Sequence, residues 1–305
     1  MPEYPEITVY IERLVDLIKG QILEQARFTS PFLLRTAEPP IDSMKGEEVQ
    51  GFERIGKRIV FVFAKEHFLV LHLMVSGRLH WRKRGCVIPA KIGLAALDFP
   101  NGSLLIEERG SKKRASLHVV RGREKLAGID PGGLEFLVAS LHDFREALTI
   151  ENHTLKRALT DPRILSGIGN AYSDEILHRA RLSPLRLTQK LTDNQIKQLY
   201  NASRETLLEW TQRLREEVGN RFPENVTAYR NGMAVHGRYG MPCPDCGTSI
   251  QRIRYAFNET NYCPRCQTGD KLLADRTLSR LLKKDWPRTI EELETRKRRQ
   301  ALPQN

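Results

Sequence analysis

The spacing of apolar side chains changes along the chain and divides it into regions. From Ile7 to Ile18 the apolar residues recur at helical spacing and stop before Gly20, which predicts an amphipathic helix over residues 5–19. From about residue 22 to 122, short β-rich runs such as 59–63 and 103–106 alternate with Gly, Pro and Asn. This region therefore predicts a β-sandwich or a barrel.

The pattern becomes helical in the second half of the chain. Residues 122–133 are rich in glycine around Pro131, which favours a linker. From about residue 140 to 217 the apolar spacing is helical. One long helix is predicted there, with Thr192 as its N-cap and Asp193 in its first turn.

The last segment, residues 268–305, follows a cysteine-rich module at about residues 235–267. It predicts two short helices and carries the basic run Arg296–Arg299. Because chain ends without a core to pack on are poorly ordered, we expect this extension to be frayed.

Composition and charge narrow the classes of function. The 305 residues are 40% hydrophobic and 28% charged, which is typical of a globular protein with room for two domains. No apolar run is long enough to cross a membrane, and no secretory signal is expected. The formal net charge of +12 indicates a polyanionic partner, and nucleic acid is favoured over a membrane surface.

Four of the five cysteines form two Cys-x-x-Cys pairs. Cys243 and Cys246 are separated by sixteen residues from Cys263 and Cys266. Four thiolates at this spacing are the ligand set of a structural zinc ribbon, with no coordination position left open for chemistry. Two disulfides or an iron–sulfur cluster are the alternatives. Cys86 lies alone among basic residues and is interpreted as a spare thiol.

The chain begins Met1-Pro2-Glu3-Tyr4-Pro5-Glu6. Removal of Met1 would leave Pro2 as a secondary amine, which can attack a carbonyl-type carbon and form an iminium, while Glu3 moves protons. The alternative is that Pro2 is only a processing signal and that the two glutamates are acidic residues of a first helical turn.

Two further motifs have the chemistry of phosphate contacts. Gly167 and Gly169 permit a tight turn before Asn170, which opens a helix whose N–H groups could face a phosphate. Lys57 stands at the start of the predicted strand 59–63, within reach of a phosphate beside a reacting sugar. A plain interhelical turn and a solvated cation are the alternatives.

Together these motifs resemble the Fpg/Nei family of bifunctional DNA glycosylases. The resemblance covers about residues 1–267. It rests on Pro2-Glu3-x-Pro5-Glu6, Gly56-Lys57, His72-Leu73 with Ser76-Gly77, Leu165-x-Gly167-Ile168-Gly169-Asn170, Val235-His236-Gly237-Arg238 and the four cysteines. It implies an α+β multidomain protein, with an N-terminal helix on a two-sheet β-sandwich, a helix–two-turn–helix domain and a zinc-ribbon finger.

The domain bounds expected from the resemblance are 1–133 for the sandwich domain, 134–232 for the helical domain, 233–267 for the finger and 268–305 for a basic extension. In that family DNA lies in the basic cleft between the two domains. One structural Zn²⁺ is the implied cofactor. Damaged DNA is the implied partner of a monomeric cytoplasmic protein that does not associate with membranes.

The resemblance also implies roles for individual residues. Pro2 attacks the sugar C1′ of a flipped-out damaged nucleotide, Glu3 handles protons at the sugar ring, and Glu6 is a second structural or catalytic carboxylate. Elimination from the iminium then cuts the strand. Lys57 and Asn170 contact the DNA phosphates. These contacts hold the distorted DNA backbone in place while the damaged nucleotide is flipped out. The further residues expected to bind DNA are Met74, Lys112, Lys113, Arg114, Lys156, Gly169, Tyr172, Arg252, Arg254 and Asn258.

The chain departs from the family in its predicted DNA-reading segments. The finger hairpin carries Asn258 at the position of a phosphate-binding Arg, and Asn lacks both charge and fork geometry. Arg252 or Arg254 could substitute for it. Val75 stands where a void-filling Met is expected, with Met74 one residue earlier, and the basic loop Arg109–Arg114 has no aromatic wedge. The extension after the finger is not a family feature.

Two other classes of function remain open on the sequence. One is a non-catalytic protein that binds damaged or branched DNA on the same scaffold. The other is an RNA-binding zinc ribbon, which explains the charge and the cysteines but not Pro2-Glu3. The leading hypothesis is a DNA glycosylase of base excision repair that removes oxidised or ring-opened bases and has AP-lyase activity.

Overall fold

The structure is a computed structural model that describes residues 1–224, 230–255, 258–274, 279, 281 and 285–301, the side chains of 255, 258, 297 and 299–301 excepted. The chain forms two compact units. The first contains Met1–Gly133 and Leu207–Ala228, and the second contains Leu134–Thr206 and Tyr229–Asn305.

The first unit begins with helix α1, Tyr4–Ile18, which confirms the predicted N-terminal helix. A capping box starts it: the Glu3 side chain accepts from the backbone of Glu6, and the Glu6 carboxylate accepts from the Glu3 N–H at 2.9 Å. Its apolar face, including Tyr10 and Leu14, is fully buried in the core of the unit. Local capping and core burial thus fix the start of the chain in place.

Eight strands form two four-stranded antiparallel sheets, which confirms the predicted β-sandwich. The strands are β1 Gln25–Phe28, β2 Val49–Ile55, β3 Arg58–Phe63, β4 His67–His72, β5 Gly77–Arg82, β6 Gly93–Phe99, β7 Gly102–Glu108 and β8 Ser116–Arg121. One sheet has the order β1-β6-β7-β5 and the other has the order β2-β3-β4-β8. Short 3-10 turns lie at Pro31–Leu33, Ile41–Met44 and Ala64–Glu66.

The core of this unit lies between the inner faces of the two sheets. Alternate residues of β3, such as Phe61 and Phe63, are buried together with Leu71 of β4 and Leu104 and Ile106 of β7. Val60 of β3 is buried on the opposite face, against Phe68 and Val70, so this strand is covered on both faces and appears in the sequence as a continuous apolar run.

The predicted linker at residues 122–133 is only partly irregular. Arg123–Ala127 forms helix α2 directly after β8. Leu126 is buried against Val60, Phe68 and Val70 on the outer face of the sheet. The glycines around this short helix favoured a linker in the sequence analysis. The helix has one buried residue, Leu126, so it has no apolar repeat that a sequence pattern could show.

The second unit contains most of the other helices. They are α3 Leu141–Thr149, α4 Leu155–Thr160, α5 Asn170–Arg179 and the first part of α6 Asp193–Val218, with a 3-10 turn at Thr188–Lys190. The long helix is confirmed together with its start, where Thr192 and Gln195 exchange side-chain and backbone hydrogen bonds at 3.0 and 3.3 Å.

The finger and the C-terminal extension complete the second unit. Strands β9 Gln251–Tyr255 and β10 Asn258–Tyr262 form an antiparallel hairpin, and helix α7 Pro264–Thr268 follows. Residues 258–260, predicted near the hairpin tip, belong to β10. Residues 256 and 257, which connect the two strands, lie outside the described part of the chain.

The expectation of a frayed extension is wrong for its described residues. Lys271 and Thr289 form an antiparallel bridge, and Leu272 N–H donates to Arg288 O at 2.8 Å. The Leu273 N–H donates to the buried Tyr262 hydroxyl, also at 2.8 Å, and helix α8 covers Ile290–Ala301. The finger supplies partners that a terminal segment lacks on its own.

A helix that crosses a bilayer must be both long and apolar, and the helices of this chain fall short of that requirement where they are described.

The sandwich core generates a stability prediction. Because Phe61 is fully buried between the sheets, Phe61→Ala should lower the free energy of unfolding by about 3–5 kcal/mol. Scanning calorimetry measures the change. Val87→Ala is the control, since Val87 is 88% exposed and its truncation should leave the transition in place. Equal effects of the two substitutions would contradict the assigned core.

Candidate active site and zinc centre

The start of α1 buries the residues predicted to carry the chemistry. Pro2 is buried, Glu3 is 2% exposed and Glu6 is 3% exposed. The capping box fixes the two carboxylates at the first turn of the helix. The structure therefore brings Pro2, Glu3 and Glu6 together in a site sheltered from water.

The charges around the chain terminus act on its amine. Burial lowers the pKa of the Met1 amino group below its ordinary value; Arg78 and Lys57 lower it further, while Glu3 and Glu6 raise it. A lowered pKa increases the fraction of unprotonated amine at neutral pH. Arg78 was not predicted from the sequence, because nothing local to β5 indicates that it faces the chain terminus.

Lys57 belongs to the same neighbourhood. Burial lowers the pKa of its ammonium, and the negative charge of Glu3 opposes that shift. The lysine precedes β3, so the register of the sheet decides what lies next to it. Lys57 therefore lies within electrostatic range of Glu3, and its predicted contact with a phosphate stays a prediction.

A row of basic side chains continues from Lys57 across the sheet. Arg58 pairs with His72 of β4, and His72 pairs with Ser116 of β8. Burial, together with the charges of Arg58, Lys57 and His118, lowers the pKa of His72 to about 4. Its Nε2 is buried without a hydrogen-bond partner among the described residues. These cationic side chains favour a bound anion. The sequence analysis did not identify His118, which strand pairing brings close to His72 because Ser116, the partner of His72, is two residues away.

The turn before β5 holds Met74 and Arg78 in place. Met74 has a φ of 53°, in the left-handed region that non-glycine residues rarely adopt. At Gly77 an added Cβ would lie 2.2 Å from Leu73 O, so a larger residue would displace the backbone. Arg78 Nη1 donates to Gly77 O at 2.6 Å, which braces the turn.

The basic loop after β7 is fixed by one buried carboxylate. Glu108 is 1% exposed and accepts from the N–H groups of Arg114 and Ala115 at 2.8 and 3.0 Å. Lys113 Nζ donates to Glu108 O. Lys112 and Arg114 are exposed, so the loop presents cations to solvent from a rigid base.

The glycine turn of the second unit has the predicted arrangement. Gly167 has a φ of 84°, which favours glycine, and α5 begins at Asn170 after Gly169. The Asn170 side-chain amide donates to Glu259 O of β10 at 2.9 Å. The amide predicted to grip phosphate is therefore held beside the finger hairpin.

Lys156 lies behind that turn. Its ammonium donates to Asn170 O and Ser173 Oγ, both at 2.7 Å, and to Asp174 Oδ1 at 2.5 Å. An ammonium has three N–H donors, and protein acceptors take all three in this conformation. Lys156 thus orients the start of α5 from within the unit, and its contact with DNA stays a prediction.

Asp174 and Glu175 are buried carboxylates that the sequence did not single out. Asp174 Oδ2 accepts from the Asn261 N–H at 3.1 Å and lies 2.8 Å from His236 Nδ1. Glu175 accepts from the backbone N–H groups of residues 234–236 at 2.7–2.9 Å. The motif quoted from Val235 to Arg238 is therefore anchored on α5.

Tyr172 was predicted to bind DNA, but its side chain is only 1% exposed. The ring packs inside the second unit and offers no surface to a ligand in this conformation. Residues 171–178 of α5 are all buried, so Tyr172 lies on a helix enclosed by the unit, and its contact with DNA stays a prediction.

The finger hairpin presents two arginines from β9. Arg252 lies over the ring of Tyr239, with its guanidinium carbon 4.0 Å from the centroid. Arg252 and Arg254 both contact the Glu259 carboxylate. Asn258 opens β10 opposite Tyr255, and its side chain lies outside the described part of the structure.

The four finger cysteines converge on one point. Their sulfurs lie within 4.8 Å of one another, with 3.4 Å between Cys246 and Cys263 and 3.9 Å between Cys243 and Cys266. Burial raises the pKa of the Cys263 thiol to about 12, so its thiolate needs a cation beside it. These residues fit a tetrahedral Zn²⁺, whose chemistry there is to cross-link the two knuckles. The protein holds one structural Zn²⁺ at this site.

His178 of α5 supports the zinc centre and was missed in the sequence. Its Nε2 lies 3.3 Å from Cys243 Sγ. Groups that contact metal ligands orient them, so α5 links the finger to the helical part of the unit. A lone histidine in a helical run gives no local signal for this contact.

Models of known protein families match three successive segments of the chain. The family models that match are the formamidopyrimidine-DNA glycosylase N-terminal domain at residues 1–121, its H2TH domain at 128–216 and the zinc finger found in Fpg and isoleucyl-tRNA synthetase at 240–269. The sandwich, helical bundle and zinc finger define a DNA glycosylase of DNA repair.

Individual relatives identify the family. The formamidopyrimidine-DNA glycosylase of Heliobacterium modesticaldum is 30% identical over 88% of this chain and 100% of its own length. That of Thermus thermophilus is 31% identical over 88% of this chain and 98% of its own. The chain belongs to the formamidopyrimidine-DNA glycosylase family.

Solved structures support the same fold. The Thermus thermophilus MutM (Fpg) crystal structure matches with a TM-score of 0.72 at 31% identity, covering 87% of this chain and 98% of that one. A Lactococcus lactis enzyme bound to DNA with an AP site matches with a TM-score of 0.74 at 24% identity, covering 87% and 99%. The second likeness concerns the fold alone.

The zinc centre generates a second prediction. Chelation of Zn²⁺ should unfold the finger, because four converging thiols lose their cross-link, and it should weaken DNA binding. Hydrogen exchange should show lost protection in β9 and β10 and retained protection in β3 and β4. Zinc content measured by mass spectrometry is the control. Unchanged DNA affinity after complete zinc loss would contradict the prediction.

Proposed function

We propose that this chain is a bifunctional DNA glycosylase and AP lyase of base excision repair that removes oxidised or ring-opened bases. The observation that carries the proposal is the burial of Pro2 and Glu3 at the start of α1, beside Lys57 and Glu6. Family membership supports the glycosylase activity, and the geometry supports an N-terminal amine as the nucleophile.

The proposed reaction starts after removal of Met1. The secondary amine of Pro2 attacks C1′ of a flipped-out nucleotide, so an N–C1′ bond forms while the bond from C1′ to the base breaks. The base leaves with the bonding electron pair and takes up a proton. Glu3 gives a proton to the ring oxygen O4′, the sugar ring opens, and an iminium results.

Strand cleavage follows from the electron demand of that iminium. Loss of a proton from C2′ sends an electron pair towards the iminium, and the phosphate at C3′ leaves with its own pair. Water then hydrolyses the conjugated iminium and releases Pro2. Glu6 holds the backbone of Glu3 throughout, which keeps the proton donor aligned with the sugar.

The cationic side chains near the proposed nucleophile can stabilise the negative charge that develops on the departing phosphate. Lys57 and the row Arg58–His72 provide cations and an imidazole nitrogen close to the buried carboxylate. In the second unit, Asn170, Arg252 and Arg254 are the proposed phosphate contacts. Lactococcus lactis Fpg has been crystallised with AP-site DNA, which supports damaged DNA as the partner here.

A second candidate function is non-catalytic recognition of damaged DNA. The substitution of Asn258 for a hairpin arginine favours it, because one charged phosphate contact is replaced by a neutral side chain. Binding alone requires no reactive amine, so covalent trapping separates the two functions.

The trapping experiment uses borohydride and DNA with an abasic site. The parent protein should form a covalent adduct, because reduction fixes the iminium between Pro2 and C1′. Retention of Met1 or substitution of Pro2→Gly should remove it, and the exposed Val87→Ala should trap as the parent does. Intact mass must first show that Met1 is gone. A correctly processed protein that gives no adduct supports the binding function instead.

The position of Arg78 predicts the pH dependence of trapping. Arg78 lowers the pKa of the Met1 amino group, and we expect the same direction at the Pro2 amine one residue later, so Arg78→Gln should raise the pKa of the Pro2 amine. Trapping should then slow on the acidic side of the profile and stay unchanged at high pH, where the amine is unprotonated in both proteins. Arg84→Gln is the control, since Arg84 pairs with Glu24 at 2.7 Å. Identical profiles for parent and Arg78→Gln would exclude this role.

A further inference from the structure

The finger hairpin contains a carboxylate shared by two arginines. Glu259 Oε2 lies 3.3 Å from Arg252 Nη1 and 3.1 Å from Arg254 Nε. Glu259 lies directly opposite Arg254 in the hairpin register, and Arg252 is two residues further along the same face. One anion therefore neutralises part of the cationic face that the hairpin presents.

The same residue also engages a third polar side chain. Its backbone carbonyl accepts from Asn170 Nδ2 at 2.9 Å, at the N-terminal end of α5. Glu259 thus contacts three of the side chains that the proposed function assigns to DNA phosphates.

The two ion pairs of Glu259 are weak enough for another anion to replace the carboxylate. The side chains of Arg252, Arg254 and Glu259 are 30%, 61% and 29% exposed, so solvent screens both ion pairs. Partly exposed ion pairs are weak and exchange readily. Tyr239 keeps the Arg252 guanidinium aligned over its ring, so the arginine stays oriented when its anionic partner changes.

We propose that Glu259 stands in for a DNA backbone phosphate on the finger hairpin. In the free protein its carboxylate pairs Arg252 and Arg254, and a phosphate displaces it when DNA binds. The inference rests on the proposed function, because it takes DNA as the partner. Guanidinium groups bind carboxylate and phosphate oxygens with the same geometry, which makes one anion a substitute for the other.

The displaced carboxylate has a consequence for affinity. After exchange, Glu259 remains beside a phosphate of the same sign, so part of the attraction between the arginines and DNA is lost. The hairpin should therefore bind DNA more weakly than its two arginines alone would allow. Glu259 sets the strength of this contact without removing it.

The test measures binding of a fluorescein-labelled duplex with a tetrahydrofuran abasic analogue by anisotropy across a salt series. Glu259→Gln should bind about three- to tenfold more tightly, and its plot of log K against log salt should be steeper by about 0.9, since one more net cation meets the phosphates. Arg252→Gln combined with Arg254→Gln should weaken binding and flatten the plot by up to about 1.8.

Asp270→Asn is the matched control. Asp270, three residues after the finger, pairs with Arg265 of the finger at 3.3 Å, so the substitution changes net charge equally at a neighbouring ion pair. It should bind like the parent, with zinc content confirmed for every variant. Equal binding by Glu259→Gln and Asp270→Asn, or parental binding by the double arginine variant, overturns the inference. A parent that fails to bind the probe overturns the DNA partner of the proposed function as well.

Discussion

The structure depends first on how the N–H groups at the start of α1 are satisfied. The first turn of a helix has unpaired donors, and a chain terminus buried with them would be unstable without acceptors. Glu3 and Glu6 supply these acceptors through a reciprocal capping box. The same two carboxylates surround the terminal amine, whose pKa is lowered by burial and by the cations Arg78 and Lys57. The two carboxylates that cap the first helix therefore also lie within the electrostatic surroundings of the chain terminus, where their charges oppose the lowering of the amine pKa.

Buried carboxylates have the corresponding role in the second unit. Asp174 contacts Lys156, His236 and Asn261, and Glu175 accepts three backbone N–H groups of the neighbouring segment. A buried carboxylate without partners would cost several kcal/mol, so such a network specifies one arrangement of α5 and the finger. Asn170 and the zinc ligands are thereby held in a fixed relation within that unit.

Elements with a local signature were predictable from the sequence. The helix from Tyr4, the strands around Phe61 and the long helix after Thr192 follow from the periodicity of burial and from capping residues. Short helix α2 and the packing of the C-terminal extension were not predicted. Both depend on contacts with residues far away in the chain. Leu126 of α2 packs on the sheet, and Leu273 of the extension donates to Tyr262, and no local sequence pattern predicts either contact. For the same reason, the sequence did not show that the Lys156 ammonium pairs with Asp174 or that the Tyr172 side chain is buried.

Sequence alone determined the class of fold, the zinc ligands and the candidate nucleophile, because each is encoded by residues close together in the chain: a repeat of apolar positions, two Cys-x-x-Cys pairs and Pro2-Glu3. Only the tertiary structure placed Arg78 and Lys57 around the terminal amine, set His72 in a basic row and joined Glu259 to Arg252, Arg254 and Asn170. Strand register and helix packing create these contacts between separated residues, and electrostatic effects depend on distance in space and not on distance along the chain.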